Sequence, residues 1–239
     1  MILRRHIIMI LLILPISGLT KNLNIATIDI VPAGYKSNGV VTGAFYDIGN
    51  EIAKRANLTY VNKLKPYTRV IHELRSGKAD MTIILKHPDL IEHVIVVDKV
   101  TTIKVIILKH NMNQIQSLSD LYGKKLGGIR NSAFAREIYT HKEIIPTILK
   151  DNRQGLKLLK LGRIDALVGV DMSIYYAMKK LNITRDQFSQ PFIYKSMDVM
   201  LLLSNKVLDP ELEERLRSTL NSMKEDGTLN KIFEGYIGK

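Results

Sequence analysis

Arg69 stands in the first turn of the helix that "PYTRVIHELRSG" predicts, where the positive end of the helix dipole disfavours a cation. A guanidinium there calls for something anionic close by, either a ligand or a surface carboxylate of the chain itself. Arg130 opens "RNSAF", the turn from a predicted strand into a predicted helix, beside Asn131 and Ser132; the serine fits equally the commoner job of helix N-cap. "HPDLIEH" brings His87, Asp89, Glu92 and His93 together without a recognised metal spacing, and "HELRS" lacks the second histidine of a zinc-protease helix. No metal centre is expected. Nucleophile elbows, phosphate loops and dinucleotide glycine patterns are absent from the sequence, so no cofactor is expected either.

The elements that must position these residues alternate. "LNIATIDIV" is β-rich, "SNG" and "TG" mark turns, and "AFYDIGNEIAKRAN" has helical apolar spacing. "LTYVNKL" predicts a strand, "PYTRVIHELRSG" a helix with Val70, Ile71 and Leu74 on one stripe, and "ADMTIIL" a strand. The order restarts with "KKLGGIR", "NSAFAREIYTH", "EIIPTIL", "DNRQGLKLLKLG", "IDALVGV" and "DMSIYYAMKKLN". Strand and helix in strict alternation predict parallel sheets covered by helices through right-handed crossovers. The same joint closes each unit: Leu74, Gly77, Asp80 and again Leu159, Gly162, Asp165. In each, the glycine ends a helix in a left-handed cap and the aspartate accepts backbone hydrogen bonds at the turn. The long apolar runs "TIKVIILKH" and "MDVMLLLSN" lie at the unit boundaries and predict two crossings between the units, hence a hinge. The tail predicts a helix from Asp209 and Pro210, a stop at Gly227 and a short last helix.

The chain has 239 residues, a formal charge of +12 and no cysteine. Its lysines are scattered, without the basic, aromatic-interleaved runs of single-strand binders, so nucleic acid is not an expected partner. Arg4 and Arg5 precede the apolar "IIMILLILPISGL", too short to span a bilayer and shaped like a signal peptide over residues 1–21. Export to the periplasm is the expectation, and without a cysteine after the apolar run no lipid anchor is expected.

"GVVTGAFYDIGNEIAKRA", "LRSGKADMTI", "SLSDLYGKKLG", "LGRIDALV" and "DPELEERLRSTLNSMKEDGTLNKIFEGYIG", in this order, resemble the periplasmic solute-binding proteins of ABC importers of the polar amino acid (family 3) type. The resemblance implies an α/β, two-lobed periplasmic-binding-protein-like fold of type II, with two mostly parallel sheets flanked by helices and a two-strand hinge. Lobe 1 would comprise residues 22–106 and 199–239, and lobe 2 residues 107–198. A small anionic or zwitterionic solute would bind in the cleft, with an inner-membrane ABC permease as partner and a monomer as the working form. It further implies ligand contacts on the loops at the strand ends: Asp29 and Tyr35, Tyr67 stacking on the solute, Arg69, Lys86, Arg130, Asn131, Ser132 and Asp171.

Two positions depart from the family pattern. The arginine that clamps an α-carboxylate would fall on Leu90 or Glu92, and the ammonium-binding aspartate on Val170, with Asp171 one residue further on. Phe134 stands where glycine is frequent. The fold also resembles periplasmic cyclohexadienyl dehydratases, for which Glu92 or Asp171 would be the acid or base. A ligand sensor without transport is a third possibility. The leading expectation is a binding protein, not an enzyme.

Overall fold

The computed structural model describes residues 22–110, 114–130 and 132–238; the expected signal peptide and Asn131 lie outside the described residues. β1 (Leu23–Ile28) is followed by a hairpin of β2 (Tyr35–Ser37) and β3 (Val40–Thr42), then α1 (Ala44–Arg55), β4 (Tyr60–Lys65), α2 (Tyr67–Arg75) and β5 (Met81–Leu85). β6 (Val94–Leu108) runs out of this first half. The second half holds β7 (Lys125–Ile129), α3 (Ala133–Ile138), β8 (Ile145–Leu149), α4 (Asn152–Lys160), β9 (Ala166–Val170) and α5 (Asp171–Lys180). β10 (Phe192–Ser204) returns to the first half, where α6 (Pro210–Glu225) and α7 (Thr228–Ile237) end the chain.

The strand order is β4-β1-β5-β10-β6-β9-β7-β8. The two expected sheets are therefore joined in one unbroken ladder, because β6 and β10 are long enough to pair along each other and with a neighbour in each half. Within each half the outer three strands are parallel: β4-β1-β5 and β8-β7-β9. Each triple is crossed first in one direction and then in the other. Right-handed crossovers therefore put α1 and α2 on opposite faces of the first half, and α3 and α4 on opposite faces of the second.

Side-chain alternation sorts the second half's core. Val105 and Ile107 of β6 enter the cluster under α3, with Leu126, Ala135 and Ile138. Ile106 and Leu108 enter the cluster under α4 and α5, with Leu156, Leu159 and Ile174. A third cluster fills the first half, drawing on β1, α1, α2, β5, the nearer ends of β6 and β10, α6 and α7.

The repeated joint is the same object twice. Gly77 and Gly162 are left-handed at φ 70° and 63°, and the next N–H reaches back to Glu73 O and Leu158 O, each at 2.9 Å. The carboxylate of Asp80 accepts the N–H of Asn24 at 2.8 Å, and that of Asp165 accepts the N–H of Lys125 at 2.7 Å. Each aspartate pins the start of the third strand to the start of the first.

Candidate functional site: the gap between the strand ends

Register fixes where the strand ends point. Leu85, the last residue of β5, pairs with Val199, which pairs with Thr101. Val170, the last residue of β9, pairs with Val105. β5 runs along β6 and β9 runs against it, so the carboxyl ends of the two parallel triples aim at each other. Thr101 and Val105 are four residues apart, which at ~3.3 Å per residue leaves a gap of about 13 Å. Its floor is the ribbon itself: Thr102, Ile103 and Lys104 opposite Asp198, Met197 and Ser196, with Thr102 Oγ1 donating to Asp198 at 2.6 Å. Ligands of open α/β sheets bind outside such carboxyl ends.

On the first half's side, Asp29 follows β1 directly; its N–H donates to Lys65 O at 2.8 Å and its side chain is exposed. Ile30 and Val31 come next and are 51% and 45% exposed, an apolar platform that the sequence reading passed over. Tyr67, at the start of α2, sets its ring edge-on to His87 at 5.9 Å between centroids. Burial, then the nearby Asp89 carboxylate, pushes its hydroxyl pKa up. His87 was considered only as a metal ligand; its Nδ1 instead accepts the Asp89 N–H at 3.2 Å. Lys86, just past β5, is exposed and makes no ion pair among the described residues.

Arg69 has a partner other than a solute. Its Nε donates to Glu73 at 2.7 Å, one helical turn on, and Lys65 reaches the same oxygen at 3.1 Å. Burial alone would raise the Glu73 pKa, but these two cations outweigh it and hold the carboxylate below its usual range. The anion that Arg69 calls for is thus supplied by its own helix.

On the second half's side, Arg130 follows β7; its N–H donates to Leu149 O at 3.0 Å, while its side chain is exposed and unpaired among the described residues. Ser132 is the N-cap of α3, accepting the Ala135 N–H at 3.3 Å. Asp171, the first residue past the end of β9, lines a crevice with Thr101, Thr102 and Ile103 of the ribbon and with Tyr175 and Phe233. There burial raises its pKa, although the backbone N–H groups of Lys104 and Met172 and the charges of Lys104 and Arg185 pull the other way. Tyr35 spans the halves: its hydroxyl accepts from that of Tyr176 in α5 at 3.0 Å, with the rings 5.8 Å apart.

A model of the bacterial extracellular solute-binding proteins, family 3, matches residues 23–239. The chain is 24% identical to the probable amino-acid-binding protein YxeM of Bacillus subtilis (strain 168), over 87% of this chain and 80% of that protein. Among solved structures it is similar to an ancestral cationic amino acid solute-binding protein, AncCDT-1, with a TM-score of 0.75 at 21% identity, covering 90% of this chain and 95% of that one. It is similar also to the L-cystine solute receptor of Neisseria gonorrhoeae, with a TM-score of 0.73 at 18% identity over 91% and 93%. The second substrate-binding domain of a putative amino acid ABC transporter from Streptococcus pneumoniae Canada MDR_19A gives a TM-score of 0.69 at 19% identity over 91% and 100%. With the parallel triples, the ribbon and nearly every described residue inside the match, the chain belongs to family 3 of the bacterial extracellular solute-binding proteins.

Proposed function

We propose that this chain is a periplasmic receptor that captures a small anionic or zwitterionic solute, an amino acid or a related organic acid, and presents it to an ABC permease of the inner membrane. Residues 22–106 and 199–239 act as one lobe and residues 107–198 as the other, in a monomer released from its signal peptide. The observation that carries this reading is the register, which aims both sets of strand ends at one gap about 13 Å wide. Ile30 and Tyr67 offer the solute an apolar wall, while Lys86 from one lobe and Arg130 from the other offer it positive charge that is unpaired among the described residues. Kinship to a transporter's substrate-binding domain supports the permease as partner. The enzyme reading rests on a single group, the half-buried Asp171 carboxyl at the end of β9, whose pKa burial raises.

Thermal unfolding against the standard amino acids, succinate and citrate tests the proposal. A true solute at a hundred times its Kd stabilises by about 2.7 kcal/mol and, by closing the lobes, reduces the radius of gyration in small-angle scattering. No stabilisation across that panel overturns the reading.

A further inference from the structure

The lysines are scattered along the sequence, but the fold gathers them. Residues 107–198 carry fifteen lysines and arginines against eight aspartates and glutamates, whereas residues 22–106 and 199–239 together carry seventeen against fifteen. The second half is thus at +7 and the first at +2. Much of that excess stands at one end. The carboxyl ends of β7, β8 and β9 aim at the solute gap, so their amino ends point away from it, and the turns that lead into them are tied together. Gly123 N–H donates to Glu143 O at 2.8 Å, Ile145 N–H to Lys124 O at 2.9 Å and Asp165 N–H to Lys125 O at 2.9 Å. On these turns stand Lys124, Lys125, Lys142, Lys160 and Arg163, all exposed and none in an ion pair among the described residues. The turns carry two acids, Glu143 and Asp165, and the Asp165 carboxylate is engaged by the Lys125 N–H at 2.7 Å. Between the cations lie Leu161, the C-cap of α4, 66% exposed, and Tyr122, 42% exposed. The helices of the first half are built otherwise: α1 and α6 mix both signs and pair them internally, Arg55 with Glu51 and Arg217 with Glu213. Mixed signs suffice for solubility. A one-signed end with apolar residues set among its charges calls for a partner.

We propose that this end of the second half docks the protein on an anionic phospholipid surface, its cations among the lipid phosphates and Leu161 and Tyr122 in the headgroup layer. Four of the five cations are lysines, compact charges on flexible stems that meet a phosphate without a fixed geometry. An acidic protein would have to match their positions one by one, whereas a fluid lipid surface adapts to them. Each such charge near an anionic leaflet adds to the attraction, and an apolar side chain that enters the boundary adds a contribution that salt does not screen. Docking by the amino ends leaves the solute gap uncovered. The protein is then held at a membrane without a lipid anchor and without any demand on what it binds, so the inference stands independently of the receptor reading.

Co-sedimentation with vesicles tests it, on the chain from residue 22 onward, which holds every described element and the whole family match, so that the apolar N-terminal segment cannot insert by itself. The chain is expected to bind vesicles of equal parts phosphatidylglycerol and phosphatidylcholine, to ignore pure phosphatidylcholine, and to be released as salt rises from about 50 mM to about 500 mM. K124Q/K142Q/K160Q should weaken binding on the order of 100-fold. K36Q/K78Q/K231Q removes the same charge from exposed lysines of the first half and should leave binding near that of wild type. Leu161→Ser should weaken binding and leave its salt dependence unchanged. All variants alter exposed side chains, and cooperative thermal unfolding checks that each is folded. Equal losses in the two triple variants would mean that total charge and not this end attracts the lipid, and would overturn the proposal. So would equal binding to the uncharged vesicles, or no binding to the anionic ones at low salt.

Discussion

Gly77 and Gly162 share a backbone conformation but not an environment. A Cβ on Gly162 would meet nothing within 4 Å, whereas one on Gly77 would stand 2.9 Å from the Cβ of Lys206. Gly162→Ala should therefore cost only the left-handed strain, about 1 kcal/mol, and Gly77→Ala that strain plus a displacement of the neighbouring chain. Urea denaturation of the two variants checks this; equal losses would show that the conformation alone matters. The joint was legible in the sequence because glycine and aspartate do local work there. The sequence left Arg69 between a ligand and a carboxylate of the chain itself, and Glu73, four residues on, is the helical ion-pair partner it meets. The direction of Asp171 is harder to read from sequence, since it depends on where β9 stops and α5 starts, a boundary that one residue decides.

Among elements, those with long apolar periodicity were legible and those fixed by pairing were not. The hairpin of β2 and β3 escaped as strands because each is three residues long, though its Asn38-Gly39 turn, with φ of 52° and 81°, was a visible signal. The full length of β6 escaped because "EHVIVVDK" carries charges that only its partner β10 makes tolerable in a strand. The joint between α6 and α7 was marked by Gly227, and a charge network completes it. Asp226 accepts from Thr228 and from Arg55 of α1, whose Nη1 is 2.5 Å away. Those bonds, the Thr228 hydroxyl first and Arg55 next, lower its pKa from 3.8 to about 2. A depressed carboxylate pKa stabilises the fold above the unfolded value and stops doing so as pH falls through the folded one. Asp226→Asn should accordingly lower the urea midpoint at pH 7, and its deficit against wild type should shrink between pH 4 and pH 2. A deficit that stays constant over that range would remove Asp226 from the account.

At the scale of the whole molecule, two descriptions of the structure compete. The ladder is continuous from β4 to β8, which taken alone makes the chain one cooperative body. The cores are nearly separate: the first half is filled by one cluster and the second by two others, and the first cluster reaches into the second half through Met172, with Val170 and Ile103 packed against it. Backbone hydrogen bonds contribute little net stability each, whereas buried apolar side chains contribute most of it, so the cores should decide where the protein opens. Leu159 is fully buried beneath α4 in the second half. Leu159→Ala should destabilise by about 2–5 kcal/mol. In native-state hydrogen exchange the loss should appear in β7, β8, β9 and α4, while β1 and β5 keep their protection. Acceleration of equal size in β1 and β5 would mean that the ladder transmits the loss and that the halves unfold as one. That result would also undo the hinge, because a ribbon stiff enough to couple the unfolding of both halves is too stiff to let them turn about it.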